Sequence, residues 1–573
     1  MYDAPMRSRY RWISAVGLVA GCAQASAPTD IESYDVTIGR VPNPPLQTDL
    51  VSLPGDLRGV SVPQPDLSTI VADPQAAIAL GKALFWDMQV GSDGIQACAS
   101  CHFRAGADPR SKNQLSPGLK HVPDPDVTFT SGSPNSQLHR RDFPLTRLAM
   151  PGVRGALDPA TDSNDVVSSQ GVHHLVPGEL DPFGFNVGDI NTRRVEPRNA
   201  PSVINAVFNH RQFWDGRAEN IFNGVNNLGA RDPQARVVQI DDSGSPQLVQ
   251  LALANSSLAS QAVAPVVSDT EMAAPGRTMR DVAQQLLDAR PLAKQDVHRR
   301  DSVLGALSRS PQHGLKTASY RAMIQQAFRS AWWDTTKRVL IGTDGTVTFT
   351  DGSDGIPVME YNFGLYFGLA IQMYEATLVS DQTPWDQFRR EHADPTDPAL
   401  NPWTNTHPDH ISRLALFGAM LFNDRTRGPM NVRCSNCHEQ AELTDASARR
   451  VAAAMNGPVR NRDGNVIDKG FNNIGVRPTD NDLGVGASDA FGPLSFTRRQ
   501  FPGAPPSDFD GAPVTKGFGV EGAFKIPSLR NVELTAPGQV QPIKLQMSLH
   551  NNGWRVTRVW LRSDLLDQAN SRT

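Results

Sequence analysis

The sequence has few cysteines, little net charge and no long apolar run, and each of these shortages excludes a class of protein. Five cysteines among 573 residues are too few for a disulfide framework. A formal net charge of -4 argues against a polyanionic partner such as nucleic acid. Apart from a short N-terminal stretch, no apolar run approaches the length that spans a bilayer. The composition therefore predicts a soluble globular protein, and the length predicts two or three domains.

Four of the five cysteines form two C-x-x-C pairs, and a histidine directly follows each pair. The thiols are Cys98, Cys101, Cys434 and Cys437, and the histidines are His102 and His438. C-x-x-C-H is the attachment signature of c-type haem, in which two thiols bond to the porphyrin and the histidine ligates the iron. A thioredoxin-like pair needs no following histidine, a zinc site needs a fourth ligand, and a disulfide across two residues is usually strained. The two motifs therefore predict two covalently bound c-type haems.

The fifth cysteine, Cys22, ends a segment that has the features of an export signal. Three arginines precede a short apolar stretch over residues 13–20, which runs into the sequence Val-Ala-Gly-Cys. This sequence resembles a bacterial lipoprotein box and predicts a signal peptide over residues 1–21 and a lipidated Cys22. The alternative is cleavage after Ala27 without lipidation. In both cases we expect a periplasmic protein, and a lipid on Cys22 would tether it to the outer membrane.

The segments ahead of the two cysteine motifs repeat one pattern. Residues 74–85 and 411–422 both have the apolar periodicity of a helix, and each carries most of a G-x-x-L-F-x-D sequence. The repeat predicts two domains, each built around one haem. We expect a linker over 22–70, an N-terminal haem domain over 71–355 and a C-terminal haem domain over 356–573.

The predicted fold class is mainly α, with two cytochrome c-like domains that carry long loop insertions. Residues 363–378 are strongly apolar and predict a helix buried between the domains. The stretches 103–190 and 220–257 are rich in Gly, Pro, Asp and Asn, which predicts insertions on a helical frame. Alternation of apolar and polar residues is rare, so we expect few strands.

Three further motifs resemble those of the bacterial di-haem cytochrome c peroxidase and MauG family, and they follow the family's order. They are P-R-N-A-P-S-V-I-N-A over 197–206, Q-F-W-D-G-R-A over 212–218 and F-K-I-P-S-L-R-N-V-E-L-T-A-P over 524–537. The resemblance implies that hydrogen peroxide is reduced at the haem held by His102. It also implies that electrons from an exported cytochrome or a cupredoxin enter at the haem held by His438.

The resemblance assigns catalytic roles residue by residue. Trp214 matches the tryptophan between the two haems, although a tryptophan of an ordinary core would look the same. Gln261 and Glu271 match, after an insertion, a glutamine and a glutamate that line the peroxide pocket ten residues apart. Glu271 would move a proton between the peroxide oxygens during O–O cleavage, and Gln261 would orient the peroxide. The alternative is that both are solvated residues at helix ends.

A calcium ion between the domains is also implied by the resemblance. Its ligands match the side chain of Asn199 and the carbonyl oxygens of Thr535 and Pro537, and hard oxygen donors suit calcium. Asn199 could equally cap a helix. A homodimer is left open.

The sequence departs from the family pattern at two places. The loop 191–196 contains no histidine, so the N-terminal haem is expected to be open, as in MauG-like members. His173 and His174 lie further back and are interpreted as loop residues. After Pro537 the usual pattern is lost, and no tyrosine follows, which excludes a MauG-style tyrosine ligand. Met547 is the only later methionine and the candidate ligand of the second haem, unless the altered tail leaves that site defective.

Three functions therefore stay open. Peroxide reduction is favoured by Gln261 and Glu271, because a pure electron carrier needs no peroxide pocket. A MauG-like oxidase that modifies a partner protein is favoured by the open haem and opposed by the missing tyrosine. The third function is that of a non-catalytic electron-transfer protein with two haems.

Overall fold

The computed structural model describes most of the chain between residues 53 and 534. The described ranges are 53–121, 129–133, 135–139, 165–402, 407–423, 434–454, 459–461, 464–475, 479–503 and 517–534, with single residues at 142, 145 and 405. The strands at 543–550 and 553–561 are described as backbone. The predicted signal peptide over 1–21, Cys22, and the predicted calcium ligands Thr535 and Pro537 lie outside the described residues.

The helices are distributed along the whole described chain. They are α1 (Pro74–Trp86), α2 (Ser257–Ala262), α3 (Met279–Leu286), α4 (Tyr320–Ala327), α5 (Val358–Tyr361), α6 (Phe363–Glu375), α7 (Pro384–Glu391), α8 (Arg413–Asn423), α9 (Ala448–Ala454) and α10 (Phe496–Gln500). Among the residues that the structure describes, no helix is both long and apolar enough to cross a membrane.

The strands form small antiparallel sheets rather than one large sheet. They are β1 (Leu115–Ser116), β2 (Val166–Val167), β3 (Gln170–His173), β4 (Asn186–Val187), β5 (Ile190–Asn191), β6 (Arg193–Val195), β7 (Val237–Ile240), β8 (Pro246–Val249), β9 (Arg338–Ile341), β10 (Val347–Thr350), β11 (Ile356–Pro357), β12 (Val459–Arg460), β13 (Val466–Ile467), β14 (Phe471–Asn472), β15 (Ser488–Asp489), β16 (Gly492–Pro493), β17 (Phe524–Lys525), β18 (Ile543–His550) and β19 (Gly553–Leu561). The pairs are β1–β2, β3–β6, β4–β5, β7–β8, β12–β13, β14–β17, β15–β16 and β18–β19, and β9 lies between β10 and β11.

These strands correct the sequence-based expectation of few strands. The chain is 29% helical and 15% strand, so the expected mainly α class holds only in part. Apart from β18 and β19, each strand has two to four residues. Strands of two to four residues are too short for an alternating pattern to be recognised, so most of them could not be predicted from the sequence.

The largest core is built around α6, in which nearly every side chain is buried. The helix expected over 363–378 is thereby confirmed, with its end at Glu375. The core that surrounds α6 also contains buried residues of α1, α3 and α4. Helix α6 therefore packs with the N-terminal part of the chain, whereas the expected domain boundary at 355/356 assigns it to the C-terminal part.

Helix α1 shows what the glycine and the aspartate of the repeated G-x-x-L-F-x-D pattern do in the structure. Asp73 caps the N-terminus, and its carboxylate accepts hydrogen bonds from two backbone N–H groups of the first turn. A Cβ at Gly81 would lie 1.8 Å from the carbonyl oxygen of Ala370, so glycine permits the close crossing of α1 and α6. Asp87 is buried after the helix and accepts a hydrogen bond from Tyr320 Oη at 2.7 Å. The pattern therefore fixes where the chain enters the first cysteine motif.

The second copy of the pattern has the same order of elements. Helix α8 confirms the helix expected over 411–422 and precedes a 3₁₀ turn at Cys434–Asn436. Helix α1 precedes a corresponding turn at Cys98–Ser100. Each cysteine motif thus follows a helix with a buried apolar face.

Candidate functional site

The first cysteine motif forms a tight turn with an oriented histidine. The turn over Cys98–Ser100 is closed by the N–H of Cys101, which donates to the carbonyl of Cys98 at 3.1 Å. His102 Nδ1 lies 2.9 Å from the carbonyl oxygen of Gly106. A hydrogen bond from Nδ1–H to this carbonyl leaves Nε2 as the nitrogen that can bind a metal. Burial lowers the pKa of His102, which favours the neutral imidazole that ligates iron.

The second motif repeats this geometry. The N–H of His438 donates to the carbonyl of Cys434 at 3.0 Å. His438 Nδ1 lies 3.3 Å from the carbonyl oxygen of Leu443, so the same ring nitrogen is again occupied. Burial lowers the pKa of His438 to about 4, which keeps the imidazole neutral at physiological pH.

The donor set of both motifs fits a covalently bound haem. The four thiols, of Cys98, Cys101, Cys434 and Cys437, are not joined as disulfides. Each motif therefore offers two thiols that are not joined in a disulfide and one imidazole that burial keeps neutral. These are the groups that c-type haem attachment requires.

Trp214 lies in a turn of the motif 212–218, and this turn contacts the other two motifs that resemble the family. Its indole Nε1 donates to the carbonyl oxygen of Asn199 at 2.7 Å, and its own carbonyl accepts from the N–H of Lys525 at 2.7 Å. Gly216 has a φ of +71°, and a Cβ there would lie 2.6 Å from the ring of Phe471. The turn therefore needs glycine, and it brings the segments 197–206, 212–218 and 524–534 together at one place.

A buried ionic network surrounds this turn. Arg198 Nη1 lies 2.5 Å from Asp215 Oδ2, and Arg198 Nη2 lies 2.7 Å from Asp482 Oδ1. Burial alone would raise the pKa of Asp215, but the charges of Arg217 and Arg198 hold it well below its usual range. Lys525 is buried beside the network, and burial lowers its pKa to about 7 despite the nearby Asp215. The network ties the N-terminal and C-terminal motifs to each other.

Glu271 lies beside the first cysteine motif. Its Oε1 is 3.8 Å from Arg217 Nη2. Burial raises its pKa, Arg217 opposes the shift, and the charge of Asp215 adds to it. Burial also raises the pKa of the Cys98 thiol to about 12, and the charges of Glu375 and Glu271 contribute. A carboxyl group with a raised pKa thus lies close enough to the first cysteine motif to influence the pKa of its thiols.

Gln261 is half-buried in the last turn of α2, and one 3₁₀ turn at Pro265–Val267 lies between it and Glu271. Within the described part of the chain, its side-chain amide makes no hydrogen bond to another residue, so it is available to a ligand. The turn that carries Glu271 packs directly on β3, because a Cβ at Gly171 would lie 1.9 Å from the carbonyl oxygen of Thr270. The structure therefore places Glu271 firmly and leaves Gln261 without a direct contact to it.

Sequence reasoning missed Glu196. It ends the segment 191–196, which was predicted to be a loop without histidine, but the structure forms most of this segment as strand, with Asn191 in β5 and Arg193–Val195 as β6. The N–H of Glu196 donates to the carbonyl of Ser169 at 2.9 Å. Burial, and then the charge of Glu271, raise the pKa of Glu196 well above its ordinary value. Glu196 in turn helps to raise the pKa of the Cys101 thiol, after burial. The available signal was a carboxyl residue next to the P-R-N motif, at the place of the missing histidine.

The two histidines that the sequence assigned to a loop have different environments. His173 is the last residue of β3, so that interpretation was wrong for it; the strand is too short to be recognised from alternation. His174 is buried, with Nδ1 3.2 Å from Arg194 Nη2 and Nε2 3.5 Å from a carboxylate oxygen of Glu179. His174 therefore belongs to an ionic cluster.

The structure describes only parts of the predicted calcium site and of the predicted ligand of the second haem. Asn199 caps none of the described helices, and its Nδ2 lies 3.3 Å from the carbonyl oxygen of Val167. Its predicted calcium partners Thr535 and Pro537 lie outside the described residues, so the calcium site stays a prediction. Met547 pairs with Val556 next to a bulge in β18, but its side chain is not described, so its haem-ligand role also stays a prediction.

More than half of the chain, including the first cysteine motif and the motif of Trp214, is similar to known proteins. The family model for "Di-haem cytochrome c peroxidase" matches residues 75–150 and 157–394. The cytochrome c551 peroxidase of Pseudomonas aeruginosa is 32% identical over 141 residues, 25% of this chain and 35% of that protein. The cytochrome c peroxidase Ccp of Escherichia coli is 39% identical over 64 residues, 11% of this chain and 13% of that protein. The match thus spans about a third of the length of the Pseudomonas relative.

Solved structures with low sequence identity are also similar. A MauG-like protein associated with microbial copper homeostasis has 16% identity and a TM-score of 0.32, over 88% of this chain and 87% of that one. A variant of the di-haem peroxidase BthA from Burkholderia thailandensis has 15% identity and a TM-score of 0.31, over 87% of this chain and 75% of that one.

Proposed function

Since the chain belongs to the di-haem cytochrome c peroxidase family, we propose that it reduces hydrogen peroxide to water beside His102. The observation that carries this proposal is the carboxyl group of Glu271, which lies next to the first haem motif with a raised pKa and Arg217 within 3.8 Å. The electron donor would be an exported cytochrome or a cupredoxin, and the reaction would take place in the periplasm.

The six residues of the two C-x-x-C-H motifs would hold the haems. Two thiols would fix each porphyrin, and His102 and His438 would ligate iron through Nε2, because their Nδ1 atoms face backbone carbonyls. When bound, the haems supply the redox chemistry that delivers electrons to peroxide.

Acid–base work falls to Glu271 in this proposal. Its carboxylate would take a proton from one oxygen of hydrogen peroxide and return it to the other, so that water leaves. A raised pKa suits this task, because a group that titrates near the working pH can both accept and release a proton. The free amide of Gln261 would orient the peroxide by hydrogen bonding.

Trp214 would carry electrons between the two haem-binding motifs. Its indole is fixed by the hydrogen bond to the carbonyl of Asn199, and its backbone is fixed by the N–H of Lys525. These two contacts come from the N-terminal and the C-terminal motif, so the ring has a defined place between them. We also propose that calcium, bound by Asn199, Thr535 and Pro537, supports this geometry.

A steady-state assay with hydrogen peroxide and reduced cytochrome c tests the proposal. We expect turnover in the wild type and a loss of about 10²–10⁴-fold in kcat for Glu271→Gln, because the proton transfer is removed. Glu179→Gln, at an exposed carboxylate outside the motifs, is the matched control and should keep full activity. Absence of turnover in the wild type, or unchanged turnover in Glu271→Gln, would contradict the proposal.

A MauG-like oxidase is the second candidate. It is favoured by Glu196, because this carboxyl group ends the segment 191–196, in which the expected histidine is missing. Without that histidine the N-terminal haem would be open, as in MauG-like members. The same assay separates the two functions. A MauG-like enzyme would consume peroxide and modify a partner protein without oxidising reduced cytochrome c, and a pure electron carrier would do neither.

A further inference from the structure

A second cluster of metal-ligating side chains lies away from the haem motifs, at the end of α7. One ring nitrogen of His392 and one carboxylate oxygen from each of Glu391 and Asp409 all lie within 4.8 Å of one another. His410 adjoins them, with Nε2 2.8 Å from Glu391 Oε1. Four side chains that can bind a metal therefore meet at one place on the surface.

The orientation of His392 is the observation that separates this cluster from ordinary surface ion pairs. Nδ1 lies 2.7 Å from Asp397 Oδ2, so Nδ1–H donates to that carboxylate. Nε2 then carries the lone pair, and this atom is buried without a hydrogen-bond partner among the described residues. The ring is held against Phe388, with the centroids 4.8 Å apart. Histidines that bind metals commonly donate one ring N–H to a carboxylate, which orients the other ring nitrogen toward the metal.

The nearby cation does not occupy the cluster. Arg389 Nη1 donates to the carbonyl oxygen of His392 at 2.7 Å. Its guanidinium is thereby engaged with the backbone at the end of α7. Nε2 of His392 consequently keeps its lone pair for a cation from solution, and among the described residues the contact of Glu391 Oε1 is with His410, itself a candidate ligand.

We propose that His392, Glu391 and Asp409, with His410 as a further ligand, bind a divalent cation of the zinc class. Imidazole nitrogen combined with carboxylate oxygen suits Zn²⁺ and its neighbours in the first transition row. Calcium and magnesium prefer sets made of oxygen alone, so the imidazole argues against them.

The site has a structural role. Glu391 and His392 end α7, while Asp409 and His410 come just before α8, the helix that precedes the second cysteine motif. A bound cation closes the segment 393–408 and holds the start of α8 against the end of α7. Because the ion binds the folded chain, it raises the stability of the fold.

Metal binding to the full-length, haem-loaded protein tests the proposal. The protein is stripped with a chelator, returned to buffer with a fixed excess of calcium, loaded with Zn²⁺ and passed over a gel-filtration column. Zinc and iron per chain are then counted by elemental analysis, and the melting temperature is measured with and without Zn²⁺. We expect one zinc per chain, unchanged iron and a higher melting temperature.

Variants assign the zinc to its ligands. His392→Ala and Asp409→Asn should lose the bound zinc and the rise in melting temperature, with an unchanged haem spectrum. Asp397→Asn should weaken binding about 10–100-fold, because it orients the ligand without touching the metal. The matched control is His313→Ala, at an exposed His–Asp pair of 3.9 Å, which should keep the zinc. A wild type that retains no zinc, or ligand variants that retain it, would overturn the proposal. The site shares no residue with the haem motifs, so its outcome is independent of peroxidase activity.

Discussion

Two half-buried carboxyl groups, Glu196 and Glu271, lie near the first cysteine motif, and loss of solvent raises the pKa of both. Neighbouring carboxylates of this kind do not ionise together easily, so the pair retains a proton to higher pH than either group would alone. The charge of Glu271 adds to the rise in the pKa of Glu196. We therefore expect the two carboxyl groups to titrate as a coupled pair.

Arg217→Gln tests this electrostatic balance. Arg217 opposes the rise in the pKa of Glu271, so its removal should raise that pKa further. If ionised Glu271 is the base, kcat/KM should begin to fall at a correspondingly higher pH as the solution is acidified. The measurement is the pH profile of kcat/KM. Arg280→Gln, at an exposed ion pair with Glu360, is the control, and identical profiles for Arg217→Gln and wild type would refute the assignment.

Gly216→Ala tests the turn that carries Trp214. A non-glycine residue at this positive φ costs about 1–2 kcal/mol, and the new methyl group would also meet the ring of Phe471 at 2.6 Å. Gly276→Ala is the matched control, because its φ is +76° with nothing within 4 Å. We expect Gly216→Ala to lower the free energy of unfolding by roughly 1–3 kcal/mol more than Gly276→Ala in urea. Equal losses would mean that the turn relaxes around the methyl group.

At the scale of elements, Asp468 joins the start of α10 to the segment before Trp214. It accepts hydrogen bonds from Ser495 Oγ at 2.7 Å and from the N–H of Phe496 at 2.8 Å. It also pairs with Arg211 Nη2 at 2.6 Å, and both side chains are buried. Burial alone would raise the pKa of Asp468, but Arg211 and the hydrogen bonds lower it.

Asp468→Asn should therefore destabilise the protein by about 3–5 kcal/mol, because it leaves Arg211 buried without its partner. In the wild type, a lowered pKa means that the folded chain binds this proton more weakly than the unfolded chain. The stabilisation is complete above the unfolded pKa of about 4 and is lost as pH falls through the folded pKa. Urea unfolding at neutral and acidic pH measures both effects. Asp351→Asn, at an exposed pair with Lys337, should change stability by less than about 1 kcal/mol, and a similar small loss for Asp468→Asn would contradict the argument.

The elements also show what sequence could and could not predict. Helices α1, α6 and α8 were predictable, because their apolar residues recur over three turns or more. Most strands were not, because two to four residues carry no readable alternation. The role of Glu196 was hidden for a different reason. Its environment depends on Glu271, which is far away in the sequence and is brought near only by the packing of β3 on the turn at 270–271.

For the whole molecule, the proposed calcium ion is the most direct test of how the two halves depend on each other. Asn199, a proposed ligand, also holds the indole of Trp214 through its carbonyl. Chelation with EGTA should therefore lower both turnover and melting temperature, and added Ca²⁺ should restore them while Mg²⁺ should not. Asn199→Ala should respond weakly to EGTA. An enzyme that contains no calcium by elemental analysis, or that is indifferent to EGTA, would remove calcium from the proposal.

The network around Arg198 has a consequence for the order in which the molecule assembles. Arg198 and Asp482 are separated by 284 positions along the chain, and Lys525 and Gln212 by 313. Closing such long loops is slow compared with forming the contacts within one helical core. The core around α6 can form early, whereas the turn of Trp214 gains its last contacts only when the segment 517–534 docks. A half-folded chain would thus have its largest core but not the proposed path through Trp214, so we expect electron transfer between the two motifs only after folding is complete.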